Sequence, residues 1–511
     1  MKSARALSLF MIMIHIGWVF APSSSVLAEE ARAHPNVLLI AVDDLNDWIG
    51  CMKGHPQART PNMDRLAERG VLFTNAHCAA PVCLASRTAL FSGRYPDQTR
   101  VFSNWGKTKG KPPAKSLQMP LHFSGSGYET LGTGKLYHSA SPEFFDDYYD
   151  TENRWSPFTQ EQARYTDEEQ PSKGSANPRH VIKGGPGGHD WALPLNGLPS
   201  ERNATGKEGE SFDWGPVDVN DEEMGDTRVT NWAMTKLEEP RAKPFFLGVG
   251  YYRPHIPLFA PQQDFDALPP VEAIELPAHR PNDLEDLGKA GKKFALDPIT
   301  AGTHKLVADH DQWKQAVRAY LACITYVDRQ IGRLISKLEA SPHADNTWII
   351  LFSDHGWQLG EKQHWGKWTG WRASTRIPLI IVPPANFQAA HGQICAEPVS
   401  LMDLYPSLIE VCHLNEKKSI VGQSLVPLLM KPEKATGRAV VTAFDPGNHS
   451  LSTRDWRYLR YDNNEEELYD IQADPHEWHN LASDPSYQTK LLELRKSLDE
   501  ELEKIRTTDT P

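Results

Sequence analysis

Four uninterrupted apolar runs decide what this chain can fold into: Asn36 to Val42, Pro244 to Gly250, Thr347 to Phe352 and Ile377 to Val382. A strand wetted on one side alternates apolar and polar residues, whereas a strand with no polar face must be covered on both sides. That is the situation inside a mostly parallel sheet flanked by helices. Helical patterns fall between the runs, at Asn62 to Arg69, Ser86 to Phe91 and Asp311 to Leu338. In the last of these, Val317, Leu321, Ile324, Ile331, Leu334 and Leu338 recur at helical spacing. Strands alternating with helices give an α/β layered domain, placed over residues 35–434. Residues 150–240 are rich in Gly, Pro, Asn and charge and read as long loops over one face. From residue 435 a smaller α+β unit is expected to run to residue 511. Its antiparallel strands are Ala439 to Phe444, Arg457 to Tyr461 and Glu467 to Ile471, and its charged helix is Tyr487 to Ile505.

Two of the apolar runs end in acid. The first leads into Asp43-Asp44 and the third into Ser353-Asp354-His355-Gly356. Ligands of open α/β sheets gather at the carboxyl ends of strands, so the two acidic ends are expected to meet. Three carboxylates brought together repel one another unless a hard cation neutralises them, and oxygen donors favour Ca²⁺ or Mg²⁺. Imidazole is a less usual ligand for calcium, which makes His355 an odd neighbour. An Asp pair after a strand also serves as a turn or helix cap. The second acidic strand end tips the reading towards metal.

The 511 residues carry a formal net charge of -12, with 40% hydrophobic and 23% charged residues, an ordinary globular balance. No Lys/Arg tract stands out, which disfavours nucleic acid as a partner. An acidic protein that handles an anion must concentrate positive charge locally, and a metal ion does so. Residues 1–28 read as an export signal: Lys2 and Arg5, then an apolar run from Ala6 to Phe20, then Val26-Leu27-Ala28. The run is short for a lasting membrane anchor, so the mature chain is expected in the periplasm or outside the cell. The six cysteines, at 51, 78, 83, 323, 395 and 412, form neither a zinc pattern nor a disulfide framework.

Cys83 opens a helical stretch, where the dipole favours an anionic side chain, and Arg87 follows one turn later. That pair suits a nucleophile attacking an anion whose oxygens the arginine forks. On spacing alone, a small buried cysteine at a helix start is the commoner reading. The string CLASR at 83–87, however, resembles the sulfatase signature Cys-x-Pro/Ala-x-Arg, with Ala85 the less common variant at its third place. AVDDLN at 41–46, TPNMDRLAERGVLFTNAHC at 60–78 and FSDHGWQLGEKQHWGKW at 352–368 are similar to the same family. GTGKLYH at 132–138, YYRPHIP at 251–257 and His355 resemble its iduronate-2-sulfatase branch.

The resemblance implies an alkaline-phosphatase-like fold and hydrolysis of sulfate esters. It implies that a maturation enzyme oxidises Cys83 to formylglycine, and that Asp43, Asp44, Asp354, His355 and the modified Cys83 hold Ca²⁺. Arg87 then steadies the formylglycine, while Lys135, His138, His255 and Lys367 surround the sulfate. His255 or Lys367 protonates the departing sugar oxygen, and His138 takes the proton that lets the second hydroxyl expel sulfate. The implied substrate is the 2-O-sulfate of an iduronate-like uronic acid in a glycosaminoglycan or other sulfated polysaccharide. Aryl sulfates, algal polysaccharides and phosphate or phosphonate monoesters stay open as alternatives. Trp105, Trp155, Trp191 and Trp214 either stack on sugars or pack the loops down.

Overall fold

The computed structural model describes residues 34–111, 113–150, 154–159, 162, 180–198, 211–297 and 302–508. The expected export signal and much of the 150–240 region lie outside them. At the middle of the main sheet is β1 (Asn36–Val42), all seven residues of which are buried. Alternate side chains of β1 enter two separate cores, as the absence of a polar face requires. Leu38, Ile40 and Val42 pack in one, and Val37, Leu39 and Ala41 in the other. The sheet is completed by β2 (Val71–Phe73), β3 (Glu129–Gly134), β4 (Asp147–Tyr149), β5 (Phe245–Tyr251), β6 (Thr347–Ser353), β7 (Leu379–Val382) and β8 (Gln393–Cys395). Their order is β8-β2-β7-β6-β1-β5-β3-β4.

β1 runs parallel to β6, pairing Val42 with Ser353, and parallel to β5, pairing Val42 with Tyr251. Three strands therefore end level, and the loops after them emerge at one edge. The sheet is mixed rather than wholly parallel, because β7 is antiparallel to both β6 and β2. The apolar run 377–382 is split at Pro378, which lacks an N–H to donate. Arg376–Ile377 pairs instead with Ala76–His77 in a small separate sheet.

Helices cover both faces. α1 (Pro61–Arg69), α3 (Gly225–Glu238) and α4 (Trp313–Glu339) close one core, while α2 (Cys83–Ser92) and α5 (Leu404–Val411) close the other. α3 falls in the stretch expected to be loop. Its apolar stripe of Val229, Ala233 and Leu237 is one residue wide and easily lost among polar neighbours. Trp155 and Trp214 are buried and pack that region down. No helix among the described residues is long and apolar enough to cross a membrane.

Near the C-terminus, β9 (Val440–Asp445), β10 (Asn448–Ser452), β11 (Trp456–Arg460) and β12 (Glu466–Asp470) form an antiparallel sheet in that order. α6 (Gln488–Thr507) lays Leu491, Leu494, Leu498 and Leu502 on it. β10 was not expected, because its sequence NHSLS looks polar although all five residues are buried. The buried Arg457 of β11 donates through Nη2 to Thr375 Oγ1 at 3.2 Å and to the Gly370 carbonyl, bracing the segment that follows Lys367.

One glycine fixes a site lysine. Gly250 of β5 lies where the chain leaves β3, and a Cβ there would sit 2.2 Å from the Lys135 carbonyl carbon. Gly250→Ala should therefore cost about 1–3 kcal/mol through overpacking. Denaturant unfolding should show a lower midpoint with an unchanged slope, and an unaltered midpoint would refute this close approach.

Candidate active site

The level strand ends bring the acids together. Asp43 N–H donates to the Tyr251 carbonyl at 3.1 Å, prolonging the β1–β5 ladder by one bond. Asp44 turns left-handed with φ of 61°, and its N–H donates to Asp354 Oδ1 at 3.3 Å. Tyr320 of α4 donates to the Asp44 carbonyl at 2.7 Å and fixes the turn. On the other side Val82 is extended, with φ of -156°, and α2 starts at Cys83, so the thiol projects from the first helical residue.

Around Cys83 Sγ lie Lys367 Nζ at 2.9 Å, His355 Nε2 at 3.3 Å, Asp43 Oδ1 at 3.5 Å and Lys135 Nζ at 3.8 Å. The side chains of His138 and His255 also reach the sulfur. Lys367 pairs with Asp44 Oδ1 at 2.6 Å, and Lys135 pairs with Asp43 Oδ2. The acids, cysteine, cations and histidines singled out from the sequence thus meet at one place, drawn from segments more than 300 positions apart.

Arg87 holds the acids together rather than forking an anion. Its Nε donates to Asp354 Oδ2 at 2.8 Å and its Nη2 to Asp43 Oδ1 at 3.2 Å. Nη1 donates to the carbonyls of Leu136, at 2.9 Å, and Lys135. With each nitrogen so engaged, the guanidinium positions carboxylates and leaves anion contact to the lysines.

The electrostatics follow from burial. Burial and the Cys83 sulfur push the Asp43 carboxyl up, but Lys135, His255 and Arg87 outweigh them and hold it low. Burial raises Asp44 to about 7 despite Lys367, with Asp43 and Cys83 adding to the crowding of anions. Burial opposes the charge on Lys367, yet Asp44, Cys83 and Asp43 keep it protonated. Burial also opposes a thiolate at Cys83, and Lys135, Lys367 and His355 overturn that, bringing its pKa well below the ordinary thiol value.

Residues 35–414 match the Sulfatase family model, and residues 360–507 match the model of the N-sulphoglucosamine sulphohydrolase C-terminal region. The chain belongs to the sulfatase family. A sulfatase of Formosa agariphila is 33% identical over 471 residues, covering 91% of this chain and 86% of that one. Human iduronate 2-sulfatase is 32% identical over 399 residues, covering 73% of this chain but 65% of its own length, just under two thirds. A 2-O GAG sulfatase of solved structure superposes with a TM-score of 0.67 at 22% identity, over 93% of each chain, and shares the fold. The protein is accordingly a sulfuric ester hydrolase.

Sulfatases generally use a formylglycine and a divalent metal, and this sulfatase has a place for the ion. One donor atom from each of Asp43, Asp44, Cys83 and His355 lies within 4.8 Å of the others, all four residues being buried. Asp44 Oδ2 is buried without a hydrogen-bond partner, and His255 Nε2 lies 3.9 Å from it. His355 donates from Nδ1 to the Gly356 carbonyl at 3.0 Å, which turns Nε2 to the cluster; burial opposes a charge on the ring, yet Asp354 and Cys83 raise it to about 9, and a metal ion would take the place of the Nε2 proton. Asp354 stands beside this set, Oδ2 being 3.4 Å from His355 Nε2, while the salt bridge to Arg87 holds that same oxygen. An orphaned carboxylate oxygen among buried acids fits a hard cation.

The sequence reading missed the residues beneath the lysines. Tyr252 lies under Lys135, Nζ being 4.9 Å from the ring centre, and Trp357 lies under Lys367 at 5.4 Å. His364 contacts the Lys367 carbonyl through Nε2 at 2.9 Å. All three sit inside the quoted motifs or next to them, but their role is to place a neighbour, which residue type alone does not signal.

Arg87→Met should strand Asp43 and Asp354 and cost about 3–5 kcal/mol, the usual price of breaking a buried ion pair from one side. Chemical denaturation of the variant checks this, and a loss below 1 kcal/mol would show that the carboxylates stand without the arginine.

Proposed function

We propose that this sulfatase removes the 2-O-sulfate of an iduronate-like uronic acid in a glycosaminoglycan or another sulfated polysaccharide. The reading takes residues 35–434 as the catalytic domain and 435–511 as a subdomain bracing it. The observation that carries it is the convergence of Lys135, His138, His255 and Lys367 on the Cys83 sulfur, from motifs shared with the iduronate-2-sulfatase branch. The identity to human iduronate 2-sulfatase supports the uronic acid as substrate.

Asp43, Asp44, Asp354 and His355 would hold Ca²⁺ together with residue 83. When bound, the ion and a hydrated formylglycine at position 83 supply an oxygen nucleophile of lowered pKa. Lys135 and Lys367 face the position the sulfate group takes and offset the charge that spreads over its oxygens. Lys367 carries a proton 2.9 Å from the sulfur atom of residue 83 and delivers it to the departing sugar oxygen. His255 is less suited to that step. Its Nδ1 donates to the Ile256 carbonyl at 2.6 Å, so the neutral ring offers Nε2 only as an acceptor. His138, whose buried Nδ1 has no hydrogen-bond partner among the described residues, takes the proton that frees sulfate from residue 83. Export is part of the reading, with a maturation enzyme acting on Cys83.

Four measurements test it. Cys83→Ala should fold normally and lose turnover of every sulfate ester, and substantial remaining activity would end the formylglycine assignment. The Cys83 peptide of active enzyme should have the mass expected for CH₂SH replaced by CHO. Added Ca²⁺ should raise the thermal midpoint of EDTA-treated protein, by mass action on the folded state, and should do so less in Asp44→Asn. Among sulfated disaccharides, 2-O-sulfated iduronate should turn over fastest; a preference for aryl sulfate or 6-O-sulfate would overturn the substrate.

A further inference from the structure

One stretch of the acidic chain combines missing carboxylates with closely spaced lysines. Between Asp97 and Glu129 there is no Asp or Glu, while Arg100, Lys107, Lys109, Lys111 and Lys115 all fall there. The chain-wide count hides this concentration, which modifies the impression that no basic tract stands out. The segment folds back on itself: Phe102 N–H donates to the Thr108 carbonyl at 2.8 Å, and Thr108 Oγ1 donates to Ser103 Oγ at 3.0 Å. Lys107, Lys109 and Lys111 are exposed on this pinned loop.

The loop is built against the nucleophile. Asn104 Oδ1 accepts the N–H of Leu84, the residue after Cys83, at 3.0 Å. Trp105 is 59% exposed, and its ring meets Trp368, the neighbour of Lys367, at 4.9 Å and 64°. A cavity of about 240 Å³ runs from Leu84 and His138 to Lys109, so one of the loop's lysines lines a space that begins beside residue 83. An indole face suits the C–H face of a sugar, and ammonium groups suit sulfate and carboxylate.

We propose that the 102–111 loop is a subsite for the length of polyanionic saccharide that continues past the sugar being desulfated. Trp105 stacks on one of its rings, and Lys107, Lys109 and Lys111 pair with its sulfate or carboxylate groups. The inference rests on the proposed saccharide substrate and adds that the enzyme grips a chain rather than a single sulfated sugar.

The test compares full-length matured enzyme with Trp105→Ala, Trp105→Phe and the triple variant Lys107→Ser, Lys109→Ser, Lys111→Ser. For each, kcat/KM is measured on a heparin-derived hexasaccharide and on 4-nitrocatechol sulfate. The ratio of hexasaccharide to aryl sulfate should fall about tenfold in Trp105→Ala, mostly through KM, and recover in Trp105→Phe. In the triple variant the hexasaccharide KM should rise less steeply with salt than in the parent. Unchanged ratios would overturn the subsite. Direct binding of the hexasaccharide to Cys83→Ala, with and without Trp105→Ala, separates the two proposals. If no saccharide is hydrolysed, the substrate reading fails, while a tenfold loss of binding still upholds the subsite and no loss rejects it. Equal binding of single-stranded DNA of the same charge would reduce the loop to a nonspecific basic patch and also overturn the proposal.

Discussion

One buried guanidinium ties the molecule's functional half together. Arg87 leaves α2 and reaches the ends of β1 and β6 and the turn after β3, so four separate segments close on a single side chain. Taking such a charge out of water is costly, and the cost is recovered only when each N–H finds an oxygen. The arginine therefore acts as a gauge of assembly. Its bonds are complete only when the strand ends stand in register, the same register that sets Asp43, Asp44 and Asp354 side by side.

The cations divide the labour. Arg87 is spent on carboxylates, and its rigid fork suits the task of holding two of them at once. Lys135 and Lys367 are single-point charges on flexible stems, each resting on an aromatic ring, and they face the sulfur directly. A protein with net charge -12 can attract an anion here because three cationic side chains and a place for a metal share one small volume.

The catalytic half was legible in the sequence because its signals are local. Apolar runs without a polar face announce buried strands, and acids at two strand ends announce a meeting point. What escaped notice depended on partners far along the chain. The stripe of α3 makes sense only against α4, and the polar residues of β10 are buried by neighbours on both sides of the sheet. Arg87 was read as an anion clamp because spacing shows what a side chain can reach but not what has already claimed it. The apolar run 377–382 promised one straight strand, and Pro378 inside it divides the residues between two sheets.

The burial of Cys83 sets a timetable. Its side chain has no exposed surface, lying under two lysines, two acids and three imidazoles at the first turn of α2. Another protein needs several residues of extended backbone around a side chain before it can work on it, and the finished fold offers none here. On the proposed mechanism, oxidation at this position belongs to the newly made chain, ahead of the closure of β6 and the 367 segment, which leave the ribosome well after residue 83. On that same proposal, a copy that folds first is sealed as a thiol, well formed and inert, indistinguishable from its active sibling by shape.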